Sequence, residues 1–358
     1  MKDKIIHIDG RPVGPGYPPY IVAELSANHN QSLDRSLEIM AAAKEAGADA
    51  VKLQTYTADT ITIDHDGPEF RIESGPWAGR TLYDLYQEAH TPWEWHKALF
   101  KKGRDLGLTV FSSPFDATAI DFLEELGTPA YKIASFEIVD IPLIVRAATT
   151  GKPMIMSTGM ANEEEIAEAV FAAKSAGAKE LCLLHCVSSY PAAAEDSNLR
   201  TIPLLAETFD VVVGLSDHTL GTTVAIASVS LGAAVIEKHM TLRRADGGPD
   251  AAFSLEPMEL ADLSERTQIA WQALGQAQWG QTESEKGSME FRRSLYIVDD
   301  IRAGSVLNEA NIRSIRPGYG MAPKHLPNII GHTAARDLKR GEPLDWSMLD
   351  DTKDELRK

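Results

Sequence analysis

At 358 residues, 44% of them hydrophobic, the chain is long enough for one large domain and a small one. Its formal net charge of -17 excludes nucleic acid and anionic membrane surfaces as partners, since both require a positive field. A small anionic ligand stays compatible, because a few lysines and arginines set the potential inside a pocket.

No apolar run reaches the roughly 20 residues of a membrane span. The start, Met1-Lys2-Asp3-Lys4-Ile5, lacks the apolar core of a signal peptide, so a cytoplasmic location is expected. Cys182 and Cys186 fall four apart in one strand candidate, whose rise separates them by roughly 13 Å, too far to bridge. They are expected to be reduced and buried.

From residue 20 to 270 short apolar runs alternate with stretches of helical period. Strands are predicted at 20–25, 50–54, 108–112, 130–134, 153–157, 181–185, 211–215 and 234–239. Helices are predicted at 33–46, 91–106, 117–126, 142–149, 163–176, 202–208, 222–231 and 257–274, several closed by a glycine such as Gly47, Gly177 or Gly232. Eight βα units over roughly 250 residues imply a (β/α)8 TIM barrel. A doubly wound open sheet competes, but its first turn would carry glycines, and here that turn reads Ser26-Ala27-Asn28-His29-Asn30-Gln31. The connection 55–90 is too long for an ordinary βα loop and is expected to lie over the active-site face, with a short helix at 81–88.

After the barrel (1–275) the stretch 276–290 reads as a polar linker, and 291–358 as a small turn-rich domain. That domain holds an internal echo. Asp300-Ile301-Arg302-Ala303-Gly304 and Asp337-Leu338-Lys339-Arg340-Gly341 recur at one offset, suggesting pseudo-twofold symmetry.

In such a barrel the chemistry sits at the C-terminal strand ends. The ends here supply Glu24; Lys52 and Gln54; Ser112 and Ser113; Lys132, with Ser135 and Glu137 just beyond; Ser157; His185 and Tyr190; Ser216, Asp217 and His218; and Glu237 and His239. On a strand Glu237 and His239 share a face and Lys238 points opposite. His218 and His239 on neighbouring strands suit one divalent ion, with Asp217 as the orienting partner of His218. Two imidazoles favour Mn2+ or Mg2+ retaining waters over zinc. Lys52 and Lys132, with the hydroxyls, suit a ligand carrying phosphate and carboxylate, or else form a structural network with glutamates. The phase of His185 relative to the pocket stays open.

Glu24-Leu-Ser-Ala-Asn-His-Asn30, Lys52-Leu-Gln-Thr55, Tyr131-Lys-Ile-Ala-Ser135, Ser157-Thr-Gly-Met160, Gly214-Leu-Ser-Asp-His-Thr219 and Gly248-Pro-Asp250 together resemble the sialic acid synthase family. Residues 291–350, including Arg316-Pro-Gly-Tyr-Gly320, resemble its antifreeze-like (SAF) domain. The resemblance implies a transferase that condenses phosphoenolpyruvate with an N-acetylated amino sugar to a nonulosonic acid. The first motif is more similar to the branch that makes pseudaminic acid from 2,4-diacetamido-2,4,6-trideoxy-altrose. Ser188 replaces an asparagine common in neuraminate synthases. Neuraminate and legionaminic acid synthesis are the alternatives, with a lysine Schiff-base aldolase or a non-catalytic binding protein more remote.

By motif, the resemblance assigns Lys52, Lys132, Ser135, Ser157 and Ser216 to phosphoenolpyruvate, and Gln54, Glu137, Tyr190, Asp250 and Arg316 to the sugar. It assigns His218 and His239 to a divalent metal (Mn2+, with Mg2+ or Co2+ as alternatives). The chemistry then leaves Glu24 and Glu237 as the two carboxylates for positioning or deprotonating the attacking water, between which the sequence does not choose. Arg316 would come from the partner in a domain-swapped homodimer.

Overall fold

The computed structural model describes residues 4–350. They divide into two compact units between Gly275 and Gln276. The first begins with a hairpin of β1 (Ile6–Ile8) and β2 (Arg11–Val13), followed by eight longer-range strands. These are β3 (Tyr20–Glu24), β4 (Ala50–Thr55), β5 (Thr109–Pro114), β6 (Tyr131–Ile133), β7 (Met154–Ser157), β8 (Leu181–Cys186), β9 (Val212–Ser216) and β10 (Val235–His239). All eight pair in parallel, and β10 pairs with both β9 and β3, so the sheet closes into the expected barrel.

Alternation along each strand separates two cores. One face packs Ile21, Val51, Val110, Ile133, Met156, Leu183, Val213 and Ile236 against the surrounding helices. The other fills the barrel with Val22, Ala50, Phe111, Ile155, Cys182, Leu184, Val212 and Val235. Ile6, Ile8 and Val13 of the hairpin join this inner cluster, which removes their apolar surface from water. Sequence periodicity passed over the hairpin because its strands are three residues long. The available signal was the Asp9-Gly10 pair between Ile8 and Arg11. Both residues take positive φ (51° and 76°), as a two-residue hairpin turn requires.

Local chemistry sets the helix starts. Asp116 caps Ala117–Leu126 by accepting from the Thr118 and Ala119 amides, and Asn162 with Glu165 forms a capping box before Glu163–Ser175. The long connection after β4 carries a helical turn at Ala58–Ile61 and a helix at Leu82–Ala89 capped by Thr81, within a residue of its predicted position. No helix among the described residues is long and apolar enough to cross a membrane.

In the second unit β11 (Ser294–Ile297) pairs antiparallel with β12 (Ile312–Ile315) over a core of Leu295, Ile297, Ile301, Leu307, Leu338 and Leu344. The stretch expected as a linker carries 3-10 turns over Glu283–Phe291, exposed along its length. The two echoing segments pair with each other through reciprocal Ile301 and Leu338 amide–carbonyl bonds of 2.9 and 2.8 Å. Asp300 accepts from the Arg340 amide at 2.9 Å, and Asp337 from the Ala303 amide at 2.8 Å. Equivalent residues thus exchange equivalent bonds, which is the signature of a local twofold. Of the expected 291–358 domain, residues 351–358 lie outside the described residues.

Candidate active site

Register brings the polar strand ends to one level. His239 lies beside Glu24, and Glu24 beside Lys52; on the other side Glu237 lies beside Ser216, and Ser216 beside Cys186. All share the inward phase, so the barrel mouth collects them although they come from distant parts of the chain.

At its floor is a buried ion network. Lys52 pairs with Glu24 and lies 3.6 Å from Glu237; Lys132 lies 3.1 Å from the same Glu237 oxygen, which also accepts from Ser216 at 3.1 Å. Burial pulls Glu237 upward, but Lys132 and Lys52 more than offset it and hold the carboxyl at about 2. Glu24 goes the other way: burial outweighs Lys52 and raises it. Burial lowers Lys132, whereas Glu237 and Glu24 overcome burial to raise Lys52. The lysine–glutamate network weighed from sequence is therefore present, and it occupies the inner face of the mouth. Glu24 Oε1, Glu237 Oε2 and the Ser157 hydroxyl are buried there without a hydrogen-bond partner.

Above the network, the rings of His218 and His239 lie 5.4 Å apart. The His218 Nδ1 faces the Val187 carbonyl at 2.9 Å, which orients the ring. His239 Nδ1 is buried without a hydrogen bond, 3.9 Å from the Asp250 carboxylate, and burial lowers its pKa well below the usual range, leaving a neutral imidazole. Among the described residues no three His, Cys, Asp or Glu side chains form a closed metal cage. An orphaned neutral imidazole facing a second, oriented one fits an ion completed by water or substrate oxygens.

Tyr190 covers the pair, 4.4 Å from His218 between ring centres and 5.3 Å from Phe253. Trp77 of the long connection packs on Tyr190 at 5.6 Å and donates to the Pro249 carbonyl at 3.0 Å. Asp250 accepts from Ser26, a residue held at φ 46° at the end of β3, and Asn28 bonds the Met240 carbonyl and Ser254 at 2.9 Å each. The first motif thus locks Asp250 beside the histidines.

On the rim, Ser135 accepts from the Gly159 amide at 3.2 Å. A Cβ at Gly159 would come within 2.7 Å of the Ser135 hydroxyl and collide with that of Ser188, so a side chain here would displace both hydroxyls. Gln54, half-buried, follows Lys52 on the inward phase beside Ser113. Glu137 is raised by burial to about 7, with one oxygen buried and unpartnered. Its folded value exceeds its ordinary 4.5, so its contribution to stability is full below 4.5 and is lost as pH rises through 7. Glu137→Gln is expected to remove roughly 3 kcal/mol of that pH dependence, read by denaturant melts between the two values. Arg316, just past β12, belongs to the second unit and is exposed there.

Residues 39–279 match the model of the NeuB family. The chain belongs to the NeuB family. Residues 292–350 match the SAF domain. The pseudaminic acid synthase of Helicobacter pylori is 44% identical over 329 residues, 91% of this chain and 96% of that one. The N,N'-diacetyllegionaminic acid synthase of Legionella pneumophila is 35% identical, covering 95% and 97%. The crystal structure of N-acetylneuraminic acid (sialic acid) synthetase from Leptospira borgpetersenii superposes with a TM-score of 0.72 at 31% identity, over 81% of this chain and 96% of that one.

For this NeuB-family site one expectation changes and one open point closes. Asp217 does not orient His218: it pairs with the buried Lys238 at 2.9 Å, because its side chain and that of Lys238 both point away from the barrel interior. His185 has the outward phase, since Leu181 and Leu183 pack outward, and its Nε2 meets the Ser197 carbonyl at 2.6 Å. Trp77 was missed altogether. Its only signal was a tryptophan inside a polar, glycine-bearing connection, where a large aromatic has nothing local to pack on.

Proposed function

We propose that this chain is a pseudaminic acid synthase, joining C3 of phosphoenolpyruvate to C1 of open-chain 2,4-diacetamido-2,4,6-trideoxy-altrose. The observation that carries the choice of sugar is the 44% identity to a pseudaminic acid synthase, against 35% to a legionaminic acid synthase, each over at least nine-tenths of the chain.

His218 and His239 would hold a divalent ion, Mn2+ ahead of Mg2+ or Co2+, whose Lewis acidity would stabilise negative charge on the aldehyde oxygen. Lys52 and Lys132 neutralise the phosphate and carboxylate of phosphoenolpyruvate, and Ser135, Ser157 and Ser216 donate to their oxygens. The orphaned Ser157 hydroxyl supports this, being a buried donor with no protein acceptor. The new C–C bond leaves C2 cationic and negative charge on the aldehyde oxygen. Water adds at C2 and gives one proton to Glu24, which passes it to that oxygen to make the hydroxyl. Glu237, held at about 2 by two lysines, is the weaker base and serves to fix those lysines. The C2–O bond to phosphate then breaks, the added C2 hydroxyl becomes the keto group, and its proton leaves on the phosphate, which departs with the bridging oxygen.

Gln54, Glu137, Tyr190 and Asp250 face the sugar. Arg316 is assigned to the sugar in a second copy's barrel, in a domain-swapped homodimer; its exposure within its own unit supports an external target. The deciding experiment compares kcat/KM for 2,4-diacetamido-2,4,6-trideoxy-altrose, its legionaminic-series isomer and N-acetylmannosamine, using phosphoenolpyruvate labelled at the bridging oxygen. The first sugar is expected to win by at least about tenfold, with the label in phosphate. A preference for N-acetylmannosamine, or label retained in the keto acid, would overturn the assignment.

A further inference from the structure

Each candidate metal-binding histidine is adjacent in sequence to one member of a buried ion pair: Asp217 precedes His218, and Lys238 precedes His239. While the histidines turn into the barrel mouth, this pair faces outward beneath the loop that follows β9. Lys238 is 1% exposed and Asp217 4%. The ammonium has three hydrogens and three acceptors: Asp217 Oδ2 at 2.9 Å, the Thr219 carbonyl at 2.6 Å and the Gly221 carbonyl at 2.9 Å. Asp217 Oδ1 closes the turn by accepting from the Thr219 amide at 2.9 Å.

His218 is therefore the second residue of a turn wrapped around a single ammonium. Its carbonyl accepts from the Ala192 amide at 3.0 Å, and its ring Nδ1 faces Val187. Those contacts set the rotation of the ring. The Asp217 amide anchors the start of the turn to β10 by donating to the Glu237 carbonyl at 3.0 Å, and the Lys238 clamp holds the rest of it, through Thr219 and Gly221, to the same strand that carries the other histidine. A surface pair would contribute little, but a desolvated ammonium with every hydrogen bonded admits one arrangement of the loop.

We propose that Lys238, acting with Asp217, is the positioning residue that fixes His218 relative to His239, so that the two imidazoles are preorganised for one divalent ion. This rests on the two-histidine reading of the mouth. The role is separate from that of Lys52 and Lys132, which point inward to the substrate.

The test measures Mn2+ affinity by calorimetry on the full chain, with far-UV circular dichroism and thermal melts alongside. Lys238→Met is expected to weaken Mn2+ binding at least tenfold while the protein remains folded at the assay temperature. Asp217→Asn, which keeps the volume and the two carbonyl contacts of Lys238, is the milder variant should Lys238→Met fail to fold, and a threefold or greater loss is expected. The double variant should bind no worse than Lys238→Met alone, because the two residues act as one unit. Wild-type affinity in a folded Lys238→Met or Asp217→Asn protein would overturn the positioning role. Failure of the wild type itself to bind Mn2+ would instead overturn the two-histidine reading and the positioning role with it.

Discussion

His218→Ala is expected to abolish measurable Mn2+ binding and to lower kcat by about 1000-fold or more, while the melting temperature changes little. Loss of Lewis-acid stabilisation of a developing oxyanion amounts to several kcal/mol, and each 1.36 kcal/mol is tenfold in rate. The mutated ring lies at the mouth, against Tyr190 and His239, so its removal opens space next to the substrate and leaves the packed barrel interior intact. His185→Ala is the matched control. Its ring faces away from the interior onto the Ser197 carbonyl, and it should retain Mn2+ binding. Chelator should mimic His218→Ala in the wild type, with recovery on adding Mn2+. Equal activity in the wild type and His218→Ala, each with and without chelator, would remove the two-histidine site.

Lys132→Met should damage both stability and turnover, and a second substitution should separate the two. Alone it leaves the Glu237 carboxylate, 5% exposed, with Lys52 at 3.6 Å as its remaining cation. Breaking one partner from a buried pair costs about 3 kcal/mol or more, because a charge is left in low dielectric. Lys132→Met with Glu237→Gln removes that charge, and most of the stability should return in a urea titration. Activity should not return. The double variant lacks one of the two cations assigned to phosphoenolpyruvate, so kcat/KM should stay at least about 1000-fold down. Recovery of activity together with stability would make the network structural only.

These two experiments probe residues whose legibility in the sequence differed. That Glu237 and His239 share a face and Lys238 takes the other followed from the two-residue period of a strand; that the shared face points into the barrel, with Lys52, Lys132 and Ser216, came from closure of the sheet. The twofold of the second unit was visible as the echo of Asp300 and Asp337, since equivalent turns demand equivalent residues. The Asp9-Gly10 hairpin was equally local, but its strands were too short to register as a pattern.

Partner choice was another matter. Lys132 and Glu237 are separated by 105 residues and meet only because β6 and β10 sit on opposite sides of a closed barrel. Adjacency in sequence suggested Asp217 for His218, whereas the turn after β9 delivers it to Lys238. Trp77 reaches Tyr190 because the long connection folds back over the mouth to the Pro249 carbonyl.

The sequence by itself determined the eight barrel strands, which residues of one strand share a face and the NeuB-family motifs, because periodicity and capping are properties of the local backbone. Only the tertiary structure decided which charges neutralise one another, which histidine belongs to the pocket and what covers it. Those depend on barrel closure, strand register and loop packing, which no single segment contains.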